Sequence, residues 1–347
     1  MTQVLTLRPA CEGDLEALLD LSAEAGAGMT TMPVDRETWI KKLELNRGSF
    51  ERSLAKASNS VFVMVLENPL AKGVIGSCAV IASVGNEYPF YSYKLSTQVM
   101  VSRELKINTK TQILNLVNDF TGCTELASLF LSHDFRRSME FRGAGRFLSK
   151  ARFLLLHDFP DMFSERIFAE LRGYLDENGE SPFWNALGRK FFGLEYTRAD
   201  LLSAISGNQF ISDLMPKHPI YLDLLPGSAR EVVGRVNRDT EPAKRLLEQE
   251  GFFYSDYIDI FDAGPSLECQ RDRIRCIESA EVGAASEQGS PDGELLMVSN
   301  RRLPDYRVVL TRATPNKDGL ALPRAALDGL EIQPGDLVTW SQFGVKS

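Results

Sequence analysis

Residues 121–156 read TGCTELASLFLSHDFRRSMEFRGAGRFLSKARFLLL, and this stretch decides the fold. Residues 125–131 form a run of apolar and alternating residues and predict a strand. A polar, arginine-bearing loop follows, then Gly143-Ala144-Gly145, then the amphipathic run 146–156, which predicts a helix. Strand, glycine turn and helix in this order suit an anion. Glycines let the backbone approach it, and the first free N–H groups of the helix point at it. The ligand class is a phosphorylated cofactor.

Working outward, residues 4–8 predict a short strand, and Leu15, Leu18, Leu19 and Leu21 mark a helix over 14–25. A glycine-rich loop, 26–33, precedes a polar helix over 36–55. Residues 61–67 and 74–84 predict a hairpin about a turn at 68–73, and 88–101 a further strand region. Beyond the opening stretch, 167–175 predicts a strand. Residues 181–192 predict a helix, with Ser181 as N-cap and Pro182 at its first position. Residues 198–250 read as mostly helical, with a compact polar loop at 215–221 and a helix over 241–250 ended by Gly251. Residues 253–261 form an apolar strand. This order predicts an α/β (α+β) protein with a mixed sheet and helices on both faces, rather than a repeated βαβ array. The segment about 281–293, rich in Ala, Gly, Ser and Glu, reads as a loop. Short strands at 306–312, 320–323 and 337–340, with a Pro-Gly-Asp turn at 334–336, predict a small C-terminal β-barrel. The expected domains are 1–275, with a helical insertion at about 198–250, and 276–347.

A formal charge of −8 argues against a nucleic-acid partner, which calls for a basic face. Five cysteines with no CxxC pair fit free thiols in a reducing cytoplasm. With three histidines and no Cys/His cluster, no metal site is expected. The N-terminal run has no basic region followed by an apolar core, so no signal peptide is expected. No apolar run approaches the roughly 20 residues that span a bilayer, so no membrane partner is expected.

Several blocks carry a family resemblance: Gly28-Met29-Thr30-Thr31 with Pro33; Thr121-Gly122 with Glu125-Leu126; Leu129-Phe130-Leu131; Gly143-x-Gly145 with Leu148-Ser149-Lys150 and Arg152-Phe153. Further on come Ser181-Pro182-Phe183-Trp184 with Leu187-Gly188, the run LMPKHPIY at 214–221, and YIDIFD at 257–262. Over about residues 5–275 the chain resembles the bacterial arginine N-succinyltransferases, members of the GNAT acyltransferases, with weaker likeness beyond. The resemblance implies transfer of succinyl from succinyl-CoA to the α-amine of L-arginine, or of L-ornithine. Succinyl-CoA would be a co-substrate, with no permanently bound cofactor. It implies small-molecule partners and a homo-oligomer or a hetero-oligomer with a related subunit. It leaves open two alternatives: an acyl-CoA N-acyltransferase for a different amine, or a weakly active acyl-CoA-binding partner subunit.

The resemblance also implies roles for residues. Leu129, Phe130 and Leu131 would face the pantetheine arm. Arg142, Gly143, Ala144, Gly145 and Arg146 would cradle the pyrophosphate at the helix start. Glu140 stands where the GNAT loop usually has Gln or Arg, so Arg136, Arg137 or Arg142 would supply the charge. Met29, Thr30 and Thr31 would line the acceptor pocket, or form a plain helix-ending loop. Glu125 would be the base or orient the amine; four residues before Leu129, it shares that face at period two. Its alternative is a salt-bridged rim carboxylate. The family's proton-donating histidine falls at Asn237, in Gly234-Arg235-Val236-Asn237, and asparagine is neither acid nor base near neutral pH. Either the local alignment is shifted, though no histidine lies nearby, or the thiolate, of pKa about 8.5 by analogy with cysteine, leaves with help from water or a tyrosine, or the activity or substrate has changed. His218, in the proline-flanked loop, is a catalytic candidate or a structural histidine capping carbonyls. Cys123 reads as a small core residue.

Overall fold

β6 (Thr124–Leu131) lies between β3 (Gly73–Ile81) and β7 (Arg166–Glu170) at the middle of the computed structural model of the chain. Its sequence, TELASLFL, is buried at nearly every position, as in a strand covered on both faces. The structure describes residues 4–344, apart from 27, 55–58, 69–72, 137, 140, 207–208 and 289–292. Arg137, Glu140 and most of the expected 68–73 turn therefore lie outside the described residues.

The other strands are β1 (Leu5–Pro9), β2 (Val61–Asn68), β4 (Ser92–Ser102), β5 (Ile107–Val117), β8 (Ile220–Tyr221), β9 (Phe253–Ile258) and β10 (Pro265–Gln270), followed by β11 (Glu281–Glu287), β12 (Glu294–Ser299), β13 (Val308–Asn316), β14 (Gly319–Leu322) and β15 (Leu337–Gln342). The main sheet runs β1-β2-β3-β6-β7-β10-β9-β4-β5-β8. The last five strands close a barrel in the order β12-β15-β11-β14-β13, with β12 returning to β13. β1 joins the two, pairing Leu5 with Leu310 of β13.

One face of the main sheet takes the helix Ala144–Asp158, whose Phe147, Leu148, Ala151 and Leu155 pack with Leu126 and Leu131 of β6. This helix is buried almost all round, because Leu247 and Phe252 on one flank and Met297, Tyr306 and Phe343 on the barrel flank cover it as well. The other face takes the helices Leu15–Ala25 and Arg36–Phe50, whose Leu18, Leu21, Trp39 and Leu43 pack on Val63, Val65, Ala79, Ala127 and Phe130. Asp35 caps the second of these by accepting from Thr38 N at 2.8 Å.

Three expectations change. The segment 281–287 is strand β11, not a loop. Its small residues serve close packing: a Cβ on Gly283 would lie 2.7 Å from Gly319 Cα and 3.2 Å from the Trp340 ring. The stretch 181–192 is two short helices, Pro182–Ala186 and Gly188–Phe192, broken at Leu187. Ser181 does cap the first, accepting from Trp184 N at 3.0 Å. Residues 198–250 are helical only in part, with β8 and the turns at 231–240 between helices.

Candidate active site

β6 and β7 run parallel but pair only at Thr124–Ile167 and Glu125–Phe168. Past Glu125 they part, and a cavity of about 300 Å³ opens between them, at the lower end of the range for ligand pockets. Its walls include residues 125–130, residues 169–172, the loop residues Met29, Thr30 and Thr31, and Tyr196 and Asp200 of the helix Tyr196–Ser206.

The wall supplied by β6 carries a bulge. Ser128 adopts φ 51°, and the β3 register slips there, from Ala79–Ala127 to Ser77–Phe130. An inserted residue re-aims the strand beyond it. Leu126 and Leu129 consequently pack toward the Ala144–Asp158 helix, while Ala127 and Phe130 pack toward the N-terminal helices. Glu125 alternates with Ala127, so it lies on the face opposite Leu129. The period-two expectation that Glu125 and Leu129 share a face is overturned, because the bulge shifts the alternation by one.

Thr31 holds the bulge in place: its Oγ1 accepts from Ser128 N at 3.2 Å and its carbonyl accepts from Ser128 Oγ at 2.9 Å. Lys42 also donates to the Thr31 carbonyl and reaches Ser128 Oγ at 3.5 Å. Burial pushes the Glu125 carboxyl up to about 7, opposed by the Lys42 charge. Burial likewise pulls Lys42 down to about 8. A carboxylate poised near neutrality is suited to take a proton.

Several acids gather near the Gly28–Thr31 loop and the end of β7. Glu170 closes β7, and its buried Oε1 has no hydrogen-bond partner among the described residues. Burial, then the charges of Asp259, Glu125 and Asp262, raise its carboxyl well above the ordinary carboxylate range. Asp259 and Asp262 organise a turn: Asp259 accepts from Phe261 N and Asp262 N, and Asp262 accepts from Gly173 N and Gly264 N. Asp200, raised to about 6 chiefly by burial, accepts from Gly28 N at 2.9 Å. Gly28 has φ 82°, and a Cβ there would meet Tyr196 Oη at 2.9 Å and Arg172 at 3.1 Å, so this loop passes close over the cavity only because it is glycine.

Met29, Thr30, Thr31, Glu125, Leu129 and Phe130 thus meet at one cavity, whereas Leu131 and residues 142–146 lie outside its lining. Gly143, at φ 95°, is the N-cap of the Ala144–Asp158 helix. Ala144 N donates to Phe141 O and Phe147 N to Gly143 O, which places Gly145 and Arg146 between them in the first turn. Arg146 lies over the Phe343 ring. His218 is exposed beside edge strand β8 and does not reach the cavity. Asn237 anchors a turn behind the wall: its N–H donates to Arg172 O at 2.8 Å and its Oδ1 accepts from Asp239 N at 3.0 Å. Glu170 and Asp200, which the sequence does not single out, also line the cavity, as does Arg152, which stands within a matching block but takes no role from it. The available signal was a charge inside an apolar run, Glu170 closing RIFAE and Arg152 within FLSKARFLLL.

The mixed sheet, whose parallel central pair splays beside a bulge over a helix opening on a glycine turn, frames the site of an acyltransferase. The family profile described as arginine N-succinyltransferase beta subunit matches residues 5–276, and that of its C-terminal domain matches 279–342. The chain belongs to the arginine N-succinyltransferase family. It is 40% identical over 337 residues to the arginine N-succinyltransferase of Enterobacter sp. (strain 638), covering 96% of each chain. It is 39% identical, with the same coverage, to that of Escherichia coli (strain K12 / DH10B). It superposes with TM-score 0.88 on the solved arginine/ornithine succinyltransferase subunit AI from Pseudomonas aeruginosa, at 33% identity over 99% of this chain and 100% of that one.

Proposed function

We propose that this chain transfers the succinyl group of succinyl-CoA to the α-amine of L-arginine, giving N2-succinylarginine and CoA in arginine catabolism, with L-ornithine as a second acceptor. The observation that carries this reading is Glu170, whose Oε1 is buried at the cavity and has no partner among the described residues. A buried carboxylate oxygen left unsatisfied is costly; a cationic amino acid relieves that cost. The family membership supplies the acyl donor.

In this reading the amine nitrogen attacks the thioester carbon, the C–S bond breaks, and the ammonium proton passes to Glu125. The thiolate leaves with a proton from water, consistent with a thiol pKa of about 8.5; neither Asn237 nor His218 lines the cavity. Met29 and Thr30 border the acceptor, and Thr31 acts through the bulge it holds. Leu129, Phe130 and Leu131 take the pantetheine arm, and the Gly143–Arg146 turn with Arg142 takes the pyrophosphate through helix N–H groups and charge. Succinyl-CoA enters and leaves as a co-substrate.

The division into 1–275, with its insertion at about 198–250, and 276–347 belongs to the same proposal. So does a homo-oligomer or a hetero-oligomer with a related subunit. Among the described residues no helix is long and apolar enough to cross a membrane. Together with five free cysteines, of which only Cys11 is exposed, this supports a cytoplasmic site of action. A thiol-release assay with succinyl-CoA and a panel of amines tests the reading. Turnover with L-arginine, weaker turnover with L-ornithine and little with the neutral isostere L-citrulline are expected. No turnover with either cationic amino acid sinks it.

A further inference from the structure

Arg152 lines the cavity from the Ala144–Asp158 helix and is 2% exposed, one of the largest fully buried side chains of the protein. Its Nε donates to Ser149 O at 3.1 Å and its Nη2 to Ser149 Oγ at 3.3 Å, both one turn back in the same helix. Among the described residues no carboxylate forms an ion pair with it. The titratable neighbour that acts on it is Cys78, whose thiol burial pushes up to about 12, so Cys78 stays neutral and offers no counter-charge. Burial pulls the guanidinium itself down to about 10, which leaves it charged at neutral pH.

Buried charges are ordinarily paired, because an isolated one is costly to remove from water. The other buried cation of the same helix obeys that rule: Lys150 is 3.0 Å from Glu250. Arg152 does not, and its position is informative. Cys78 belongs to the core that Leu126 and Leu129 face, and it stands opposite the bulge. Glu125 packs on the other face with the acceptor loop. Arg152 therefore stands on the Leu129 side of the cavity, whereas the acids Glu170 and Asp200 line it elsewhere together with Arg172. The two substrates of the proposed reaction are charged in the matching sense, one acyl donor ending in a carboxylate and one acceptor ending in a cation.

Resting on the succinyl-transfer reading, we propose that Arg152 binds the free carboxylate of the acyl group. It thereby sets the preference for a dicarboxylic acyl donor over an uncharged acyl-CoA of equal length. Arg152 is then a specificity-determining residue, while Ser149 fixes the direction of its guanidinium.

The experiment compares Arg152→Met and Arg152→Lys with the unmodified enzyme, using succinyl-CoA and butyryl-CoA as donors and L-arginine as acceptor. For Arg152→Met, kcat/KM with succinyl-CoA is expected to fall about 10- to 150-fold, the span of a hydrogen bond to a charged group. With butyryl-CoA it is expected to hold or rise, and KM for arginine to stay unchanged. Arg152→Lys should show the same selectivity with a smaller loss. A purely structural role would depress both donors alike, and an equal loss for both overturns the proposal. If Arg152→Met fails to fold, Arg152→Lys decides by the same ratio. If the unmodified enzyme prefers butyryl-CoA, the succinyl-transfer reading itself fails. If it prefers succinyl-CoA and neither variant alters that preference, only the role of Arg152 fails.

Discussion

Asp158 and Glu170 are both buried carboxylates, and the fold treats them in opposite ways. Asp158 ends the long central helix with its side chain fully buried, and it accepts from Ser299 Oγ, Tyr306 Oη, Thr339 Oγ1 and Arg301 Nη1. All four donors come from barrel strands or their connections, so a saturated carboxylate fastens the barrel to the main sheet. Glu170 ends β7 with Oε1 unpartnered and acids around it. Burial of a carboxyl group costs the fold in both cases, and at Glu170 it is met by a raised pKa. At Asp158 the protein supplies the compensating groups, and at Glu170 the described residues leave Oε1 without one, which the proposed reaction assigns to the substrate. Hydrogen-bond saturation, rather than burial, separates the architectural carboxylate from the binding one.

The strongest test of that contrast is Asp158→Ala. Removing one partner of a buried, paired charge should lower unfolding stability by about 3–5 kcal/mol, read by guanidinium titration. The folded fraction should keep its kcat/KM for arginine. A stability change below about 1 kcal/mol, the net worth of one ordinary hydrogen bond, would break the comparison.

Glu170→Gln should show the converse, a loss of about 10- to 150-fold in kcat/KM for arginine, the worth of a hydrogen bond to a charged group, with little change for citrulline. Stability should not fall. The folded-state pKa of Glu170 is raised above its unfolded value of about 4.3. The folded chain therefore binds the extra proton, and the stability contributed by that proton is lost as pH rises from the unfolded value through the folded one. The variant lacks this loss, so its stability relative to the unmodified chain should improve with pH across that window. A Glu170→Gln protein as destabilised as Asp158→Ala would make Glu170 structural.

A smaller effect concerns protonation at the cavity. With Glu125 near 7, kcat/KM for arginine should fall about tenfold per pH unit below that value, as the base becomes protonated. Glu125→Gln should remove this inflection from the profile. An inflection that persists in the variant assigns the base elsewhere. The smallest expected effect is that of Asn237→His. The change forfeits the Asp239 N–H bond, a loss of about 1 kcal/mol visible in thermal unfolding, and should not raise kcat, because Asn237 anchors a turn rather than lining the cavity. A clear gain in rate would instead restore the family histidine to the mechanism.

Much of this was legible in the chain. The strand, glycine turn and helix of 121–156 are local patterns, and β6 and the long helix form where those patterns place them. The face of Glu125 was not legible, because a single bulge at Ser128 reverses the alternation and no residue type announces it. β11 was misread because Ala and Gly signal a loop by composition, whereas here they admit a close approach to Gly319 and Trp340. His218 looked chemical in a rigid loop, yet the edge pairing of β8 with β5 carries it away from the cavity.

The sequence by itself determined the class of fold, the family and the glycine loop that lines the cavity, because those rest on short-range periodicity, glycine conformation and long matching blocks. Only the tertiary structure decided which charges are paired. Arg152 and Glu170 are unremarkable letters in their strings. They acquire meaning once packing removes them from water and brings them to one cleft, with neither in an ion pair among the described residues.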